Sequence, residues 1–390
     1  TREERKANRA PIHRIVALTD RINQIQQERM QLEALSPEDS YEEKLQIRIA
    51  RTYFSLNRKR EAQWTFWALY EDSPESELAP LGLFGAFALA AELGETERAL
   101  AWGETYLEKF PQGEHFEEVS FRMGKILVGQ ERFAEAMAFF SEVLARKPDH
   151  SMADQIKYLV GYSQFQSEDF AAAVTTFAEV VSLHPESEYA RPAQYWIGLV
   201  RLYEGALEAA LGHFTALLQE SDEGPFAEDA RFRVAACHHG LGDIMEAREH
   251  LHRFIERHPD SSLRPEAEML LGNIAAGDGD LDAALVHYGR VEQFGGNPTQ
   301  IDAAAFQIGL VHESRSDWEE LIRHFEAYRQ RLGPEANHTE AAFRIGYARE
   351  KMGDQEGMFA LYFDMVDRHG NDPAALGVDQ MLQEIISTYP

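Results

Sequence analysis

Alanine recurs down the chain at a fixed interval: Ala62, Ala99, Ala136, Ala173, Ala210, Ala247 and Ala284 stand 37 residues apart. Four residues on, a second column reads Phe66, Gly103, Phe140, Phe177, Phe214, Leu251, Tyr288, Phe325 and Tyr362. A third reads Gly124, Gly161, Gly198, Ala235, Gly272, Gly309 and Gly346. The closing column is Pro74, Pro111, Pro148, Pro185, Asp222, Pro259, Gly296, Gly333 and Gly370. A period of this size marks a repeat array, in which each unit buries its apolar face only against its neighbours. The register tiles residues 39–370 with nine units of 37 residues.

Each unit carries two apolar-periodic segments separated by a polar break. In the fourth, they run over about Met152–Gln166 and Asp169–Leu183. Apolar residues recur three and four apart, which is the helical spacing. Asp169 stands where a helix N-cap belongs, and Asp243, Asp280, Asp317 and Asp354 occupy the same column. The Pro or Gly at the end of each unit stops the second helix. Each unit is therefore a helix–turn–helix, and no strand is predicted anywhere.

The order Gly161, Ala173, Phe177, Pro185 resembles the tetratricopeptide repeat. The resemblance covers nearly the whole chain and implies an all-α, right-handed superhelical solenoid that binds protein or peptide. Two departures stand out. The usual unit is about 34 residues. The usual early Trp is replaced by an aromatic just before the glycine: Phe84, Phe121, Tyr158, Tyr195, Phe232, Phe306 and Phe343, with Ile47 and Met269 in the gaps. Aromatic-x-x-Gly with an Asp turn and a closing HPxS or FPxG resembles the bacterial envelope subclass. That subclass includes the lipoprotein of the outer-membrane barrel-assembly machinery and the periplasmic coordinator of the Tol-Pal system. It implies a periplasmic or envelope-associated scaffold.

The 390 residues would ordinarily suggest two or three globular domains, but an array grows by stacking and needs no second core. Hydrophobic content of 44% excludes a disordered chain. No apolar run reaches the roughly 18 residues of a membrane-spanning helix. The most apolar stretch, Leu78–Gly94, suits a buried repeat helix with Gly82 and Gly85 at close contacts. The chain starts at Thr1 rather than Met, as a processed or excised chain does, so the missing signal peptide is silent on compartment. One cysteine, Cys237, excludes an internal disulfide and thiolate-rich zinc sites, and suits either a reducing or an oxidising compartment.

Net charge is −28 and unevenly spread. Residues 1–60 carry 13 Lys or Arg against 9 Asp or Glu, while the other 330 residues carry 25 against 57. So acidic an array disfavours nucleic acid and anionic membrane, and attracts a partner with a basic segment. The same acidity also serves to keep a long solenoid soluble.

Residues 1–38 form the N-terminal segment. Ile15, Leu18, Ile22, Ile25 and Leu32 fall on a short heptad seam interrupted by Arg29. The seam either pairs with a copy of itself, giving an oligomer, or caps the first unit. Three heptads with an Arg in them are short for self-association, which favours the cap. Residues 371–390 form one more helix, either a closing cap or the first helix of a further unit.

Catalytic and metal motifs fail on geometry. Cys237 and His238 are adjacent on a helix and point about 100° apart, which does not suit a nucleophile and its base. His250, His252 and His258 lack the i, i+4 spacing of a helical metal pair. Gly277–Asp282 imitates a calcium loop, but its sixth and twelfth places hold Ala283 and Gly289. No enzyme, cofactor or metal is expected. In the family, first helices line a groove that holds partner segments. By that resemblance the groove here comprises Tyr158, Tyr162, Phe165, Tyr195, Leu199, Leu202 and Tyr203. The column of Tyr158 and Tyr195 also reads as helix-to-helix core. Tyr162, Phe165 and Tyr203 do not recur in neighbouring units, as binding positions need not.

Overall fold

A computed structural model describes residues 39–221, 226–333 and 338–369 without interruption, together with 21–27, 30, 223, 224, 382, 383, 386 and 387. All regular structure among the described residues is helical. The chain divides into two compact halves, residues 1–197 and 198–390. The N-terminal half holds α1 (Asp39–Ser55), α2 (Lys59–Asp72), α3 (Ala79–Glu92), α4 (Thr96–Lys109), α5 (Phe116–Gly129), α6 (Phe133–Arg146), α7 (Ala153–Gln166) and α8 (Phe170–Leu183). Helix α9 (Ala190–Tyr203) starts in the first half and ends in the second. The C-terminal half continues with α10 (Leu207–Glu220), α11 (Ala227–Leu241), α12 (Ile244–Arg257), α13 (Arg264–Gly277) and α14 (Leu281–Gln293). It ends with α15 (Pro298–Arg315), α16 (Trp318–Leu332), α17 (His338–Lys351) and α18 (Gln355–His369).

Odd-numbered helices are the first and even-numbered the second of each hairpin. Within each half every helix packs on the next, and first helices also meet the next first helix, as α3 meets α5 and α5 meets α7. This is the near-neighbour contact pattern of an all-α solenoid. The second helices supply the core through stripes at i, i+4 and i+7: Ala136, Phe140 and Val143, then Ala173, Phe177 and Val180, then Ala210, Phe214 and Leu217, all at most 2% exposed. Each large apolar side chain buried this way contributes about 1.5–3 kcal/mol.

Glycine lets the hairpin close. A Cβ at Gly161 would lie 2.8 Å from the Phe177 ring, at Gly198 2.9 Å from Phe214, and at Gly309 2.6 Å from Phe325. In the hairpin of α3 and α4 the sizes are exchanged. Phe87 fills the glycine position and Gly103 the phenylalanine position, where a Cβ would meet Met123 of α5 first and the Phe87 ring at 3.1 Å. Ala235 and Leu251 are an intermediate version of the same pair.

A side-chain ladder joins successive hairpins. Ser76 donates to Glu43, Ser151 to Glu117, Ser187 to Asp154 and Ser261 to Glu228. In three of these turns the same Ser Oγ accepts a backbone N–H two residues on, at 3.1 Å. Ser187 and Ser261 of the HPxS turns, and Ser76 and Ser151 of the other two, thus tie their turns to the first helix of the preceding hairpin. Lys147, and then Ser151 of the ladder, hold the Glu117 carboxyl down at about 2.

Not every expected cap is made. The carboxylates of Asp169, Asp280 and Asp354 accept from the N–H three residues on, at 3.2, 3.0 and 2.9 Å. Asp243 and Asp317 make no such bond. Asp243 faces His238 Nδ1 instead, at 3.1 Å. Of the N-terminal seam, Ile22 and Ile25 are buried, and Ile25 packs on Leu45 and Ile49 of α1. Ile15, Leu18, Arg29 and Leu32 lie outside the described residues, as do Asp222 and Gly370. Of residues 371–390, Leu382 is buried against Met358 and Tyr362 of α18.

Candidate functional site: a strip on the first helices

Four columns of the 37-residue register lie on one face of the first helices, at i, i+1, i+4 and i+7. In α7 they hold Tyr158, Leu159, Tyr162 and Phe165. In α9 they hold Tyr195, Trp196, Leu199 and Leu202, with Tyr203 next to them. In α3 they hold Phe84, Gly85, Ala88 and Ala91, and in α5 Phe121, Arg122, Lys125 and Val128. Phe54 of α1 occupies the column of Phe165, three periods earlier, so Phe165 has a periodic counterpart after all.

In the N-terminal half this strip has two characters. Around α7 it is filled by rings. Tyr162 meets Trp196 edge-on with centroids 5.3 Å apart, and Phe165 meets Trp196 at 4.8 Å. Phe133 and Phe170, at the starts of α6 and α8, close the cluster on Tyr162 and Phe165. Trp196 Nε1–H donates to the Tyr158 hydroxyl at 2.9 Å, and burial pushes the Tyr158 phenol up, so it stays protonated. Tyr162, Phe165 and Trp196 remain half-buried, so each keeps part of its ring open.

Around α3 and α5 the same strip is hollow. Ala88 and Ala91 leave a trough with a cavity volume of about 870 Å³, floored by Gly85 and the Phe66 ring packed on it, where a Cβ at Gly85 would lie 2.6 Å from that ring. Phe54, 49% exposed, and Phe84, stacked at 3.7 Å on His115, wall it together with Ile126. Its rim carries both signs: Glu92 pairs with Lys59 at 2.8 Å and Arg122 with Glu118 at 2.5 Å. Lys125 is exposed, lies 5.6 Å from the Phe121 ring, and joins no ion pair among the described residues.

The residues expected to line a groove therefore divide. Tyr158, Tyr162 and Phe165 gather around Trp196. Tyr195 is 5% exposed, so it serves the packing and offers a partner little surface. Its column is interhelical core elsewhere too, with Tyr158 on Phe177, Phe232 on Phe254 and Phe306 on Phe325. In the C-terminal half Leu199 and Leu202 are half-buried, while Tyr203 is 69% exposed. Sequence reasoning missed Trp196 and the trough. The signal was present, because the columns of Tyr162 and Phe165 hold Ala88 and Ala91 two periods earlier.

Cys237 is buried, and burial pushes its thiol to about 11. No group of three or more metal-ligating side chains is arranged around a common point among the described residues.

Three stretches, residues 121–188, 158–228 and 238–298, match the model of the tetratricopeptide repeat. Those stretches are tetratricopeptide repeats. Among solved structures, the chain is similar to the C-terminal part of a TPR repeat-containing protein from Cytophaga hutchinsonii. The two are 17% identical with a TM-score of 0.52, over 66% of this chain and 98% of that one. That likeness extends the fold well beyond the matched stretches. A tetratricopeptide repeat protein from Parabacteroides merdae is 15% identical with a TM-score of 0.44, over 69% and 98% of the two chains. YrrB, a TPR protein with an unusual peptide-binding site, is 23% identical with a TM-score of 0.40, over 51% and 94%. No curated protein sequence matches the chain.

Proposed function

We propose that the chain is a non-catalytic protein-interaction scaffold that grips a partner segment along the first-helix strip of its N-terminal half. The trough over Gly85, Ala88 and Ala91 carries this reading. Repeat packing fills the same columns with rings around α7, so leaving them empty at α3 exposes apolar surface that the fold does not need. A hollow with an apolar floor, a few polar groups at its rim and aromatic anchors farther along suits an apolar side chain of a bound segment. Tyr162, Phe165 and Trp196 offer ring faces beyond it. The acidic surface at large would draw a basic segment of the partner toward the array. The N-terminal helix acts as a cap, since Ile22 and Ile25 are used inside the chain. The envelope-type signature, aromatic-x-x-Gly with closing HPxS, supports a place in bacterial cell-envelope assembly, in the periplasm. No described helix is long and apolar enough to cross a membrane.

The test is affinity capture from the source cell's lysate with the native chain and an Ala88→Arg variant that fills the trough from its open side. Circular dichroism confirms that the variant is folded. Partners retained by the native chain and lost from the variant support the trough as the site. The same partners on both place binding elsewhere.

A further inference from the structure

The second helices of the C-terminal half carry a histidine column. His213, His250, His287 and His324 stand 37 residues apart on α10, α12, α14 and α16. The column of their first-helix counterparts, twelve residues earlier, reads Arg201, His238, Ala275 and His312. The equivalent pairs in the N-terminal half are Tyr53 with Thr65, Ala90 with Trp102, Leu127 with Phe139 and Gln164 with Thr176. That half has aromatic, aliphatic or neutral polar groups where the C-terminal half has imidazoles and a guanidinium.

The geometry sets like charges against each other inside a hairpin. His238 and His250 stack with centroids 5.3 Å apart and planes 12° from parallel. His312 and His324 lie 6.2 Å apart. His324 Nε2–H donates to the Ala305 carbonyl at 2.9 Å, which leaves Nδ1 to take a second proton. His312 Nδ1 is buried with no hydrogen-bond partner. His287 is the exception. Its Nδ1 lies 2.7 Å from the buried carboxylate of Glu268, where the other members of the column face an imidazole or a guanidinium.

We propose that this column makes the C-terminal half an acid-sensitive stack, in which protonation of His213, His250 and His324 loosens first-helix-to-second-helix packing as pH falls below about 6. The charged groups around each site agree with this. Burial, then Arg201, holds His213 below its ordinary value. Burial, then His238 and Arg253, does so for His250, against Glu249 and Glu246. Burial, then His312 and Arg331, holds His324 at about 4, against its bond to Ala305. His312 is lowered by burial and Arg315, against Asp317 and Glu320, and His238 Nδ1 lies 3.1 Å from the Asp243 carboxylate. The inference uses no residue of the proposed binding strip.

Hydrogen exchange tests it, comparing neutral with mildly acidic buffer after correction for intrinsic exchange rates. The expected result is a several-fold greater loss of protection in α11–α12 and α15–α16 than in α13–α14, whose histidine faces the Glu268 carboxylate. A His213→Gln/His250→Gln/His324→Gln variant should lose that excess. Equal loss along the half, or an unchanged excess in the variant, overturns the proposal. Should the variant fail to fold, imidazole proton shifts of the native chain decide. Midpoints for His250 and His324 below the ordinary 6.5 support it, and midpoints at or above 6.5 overturn it.

Discussion

The smallest unit of this fold is a pair of residues sixteen apart whose combined volume is fixed while its division is free. Gly161 with Phe177, Phe87 with Gly103, and Ala235 with Leu251 all fill one gap between the helices of a hairpin. Cores tolerate volume-conserving exchanges far better than net gains or losses. Gly161→Ala puts a methyl 2.8 Å from the Phe177 ring and should cost about 1–3 kcal/mol. Phe177→Gly should cost at least the roughly 3–5 kcal/mol of a Phe truncation. The double variant Gly161→Phe/Phe177→Gly recreates the arrangement of Phe87 and Gly103. Its destabilisation in urea melts should fall short of the sum of the two single changes by more than about 0.5 kcal/mol. Additive losses would mean that the exchanged pair does not share one gap.

At the scale of the helix, periodicity predicts existence and type well and predicts local partners less well. The two segments expected over Met152–Gln166 and Asp169–Leu183 are α7 and α8 almost to the residue. The Asp column predicts a row of caps, yet Asp243 turns to His238 and Asp317 makes no side-chain cap bond. A single column cannot show which neighbour a carboxylate will prefer, because that neighbour lies on another helix. Asp169→Ala and Asp280→Ala should therefore each cost about 0.5–2 kcal/mol. Asp317→Ala should stay within about 0.5 kcal/mol, read from the same melts. The hairpin of α15 and α16 adds a pH dependence. His324 is held near 4 against an ordinary 6.5, so the unfolded chain takes up its proton first. Stability is full above 6.5, is lost as pH falls toward 4, and levels off below that. His324→Gln should flatten the stability curve across that window, and an unchanged slope would assign the loss to other groups.

For the molecule as a whole, the sequence makes the array plain and hides its surface. The columns that pack the hairpins recur, so a fixed period reveals them. The strip that is free to vary has no period to reveal it: Ala88 and Ala91 look like ordinary helix alanines until Tyr162 and Phe165 are set in the same register. Trp196 escaped for the same reason, since Leu159 and Arg233 precede and follow it at the repeat interval. The contact pattern also decides how the molecule fails. Among the described residues of each half, helices touch those of their own and adjoining hairpins, so stability is a sum of local terms and damage stays local. Leu83, fully buried in α3, packs in a cluster built from α1 to α5. Leu83→Ala should cost about 2–5 kcal/mol there. In hydrogen exchange it should strip protection from α2–α5 and leave α15–α18 as in the native chain. A uniform loss along the chain would show that the repeats unfold as one cooperative block, and a globally coupled core would then have to replace the near-neighbour account.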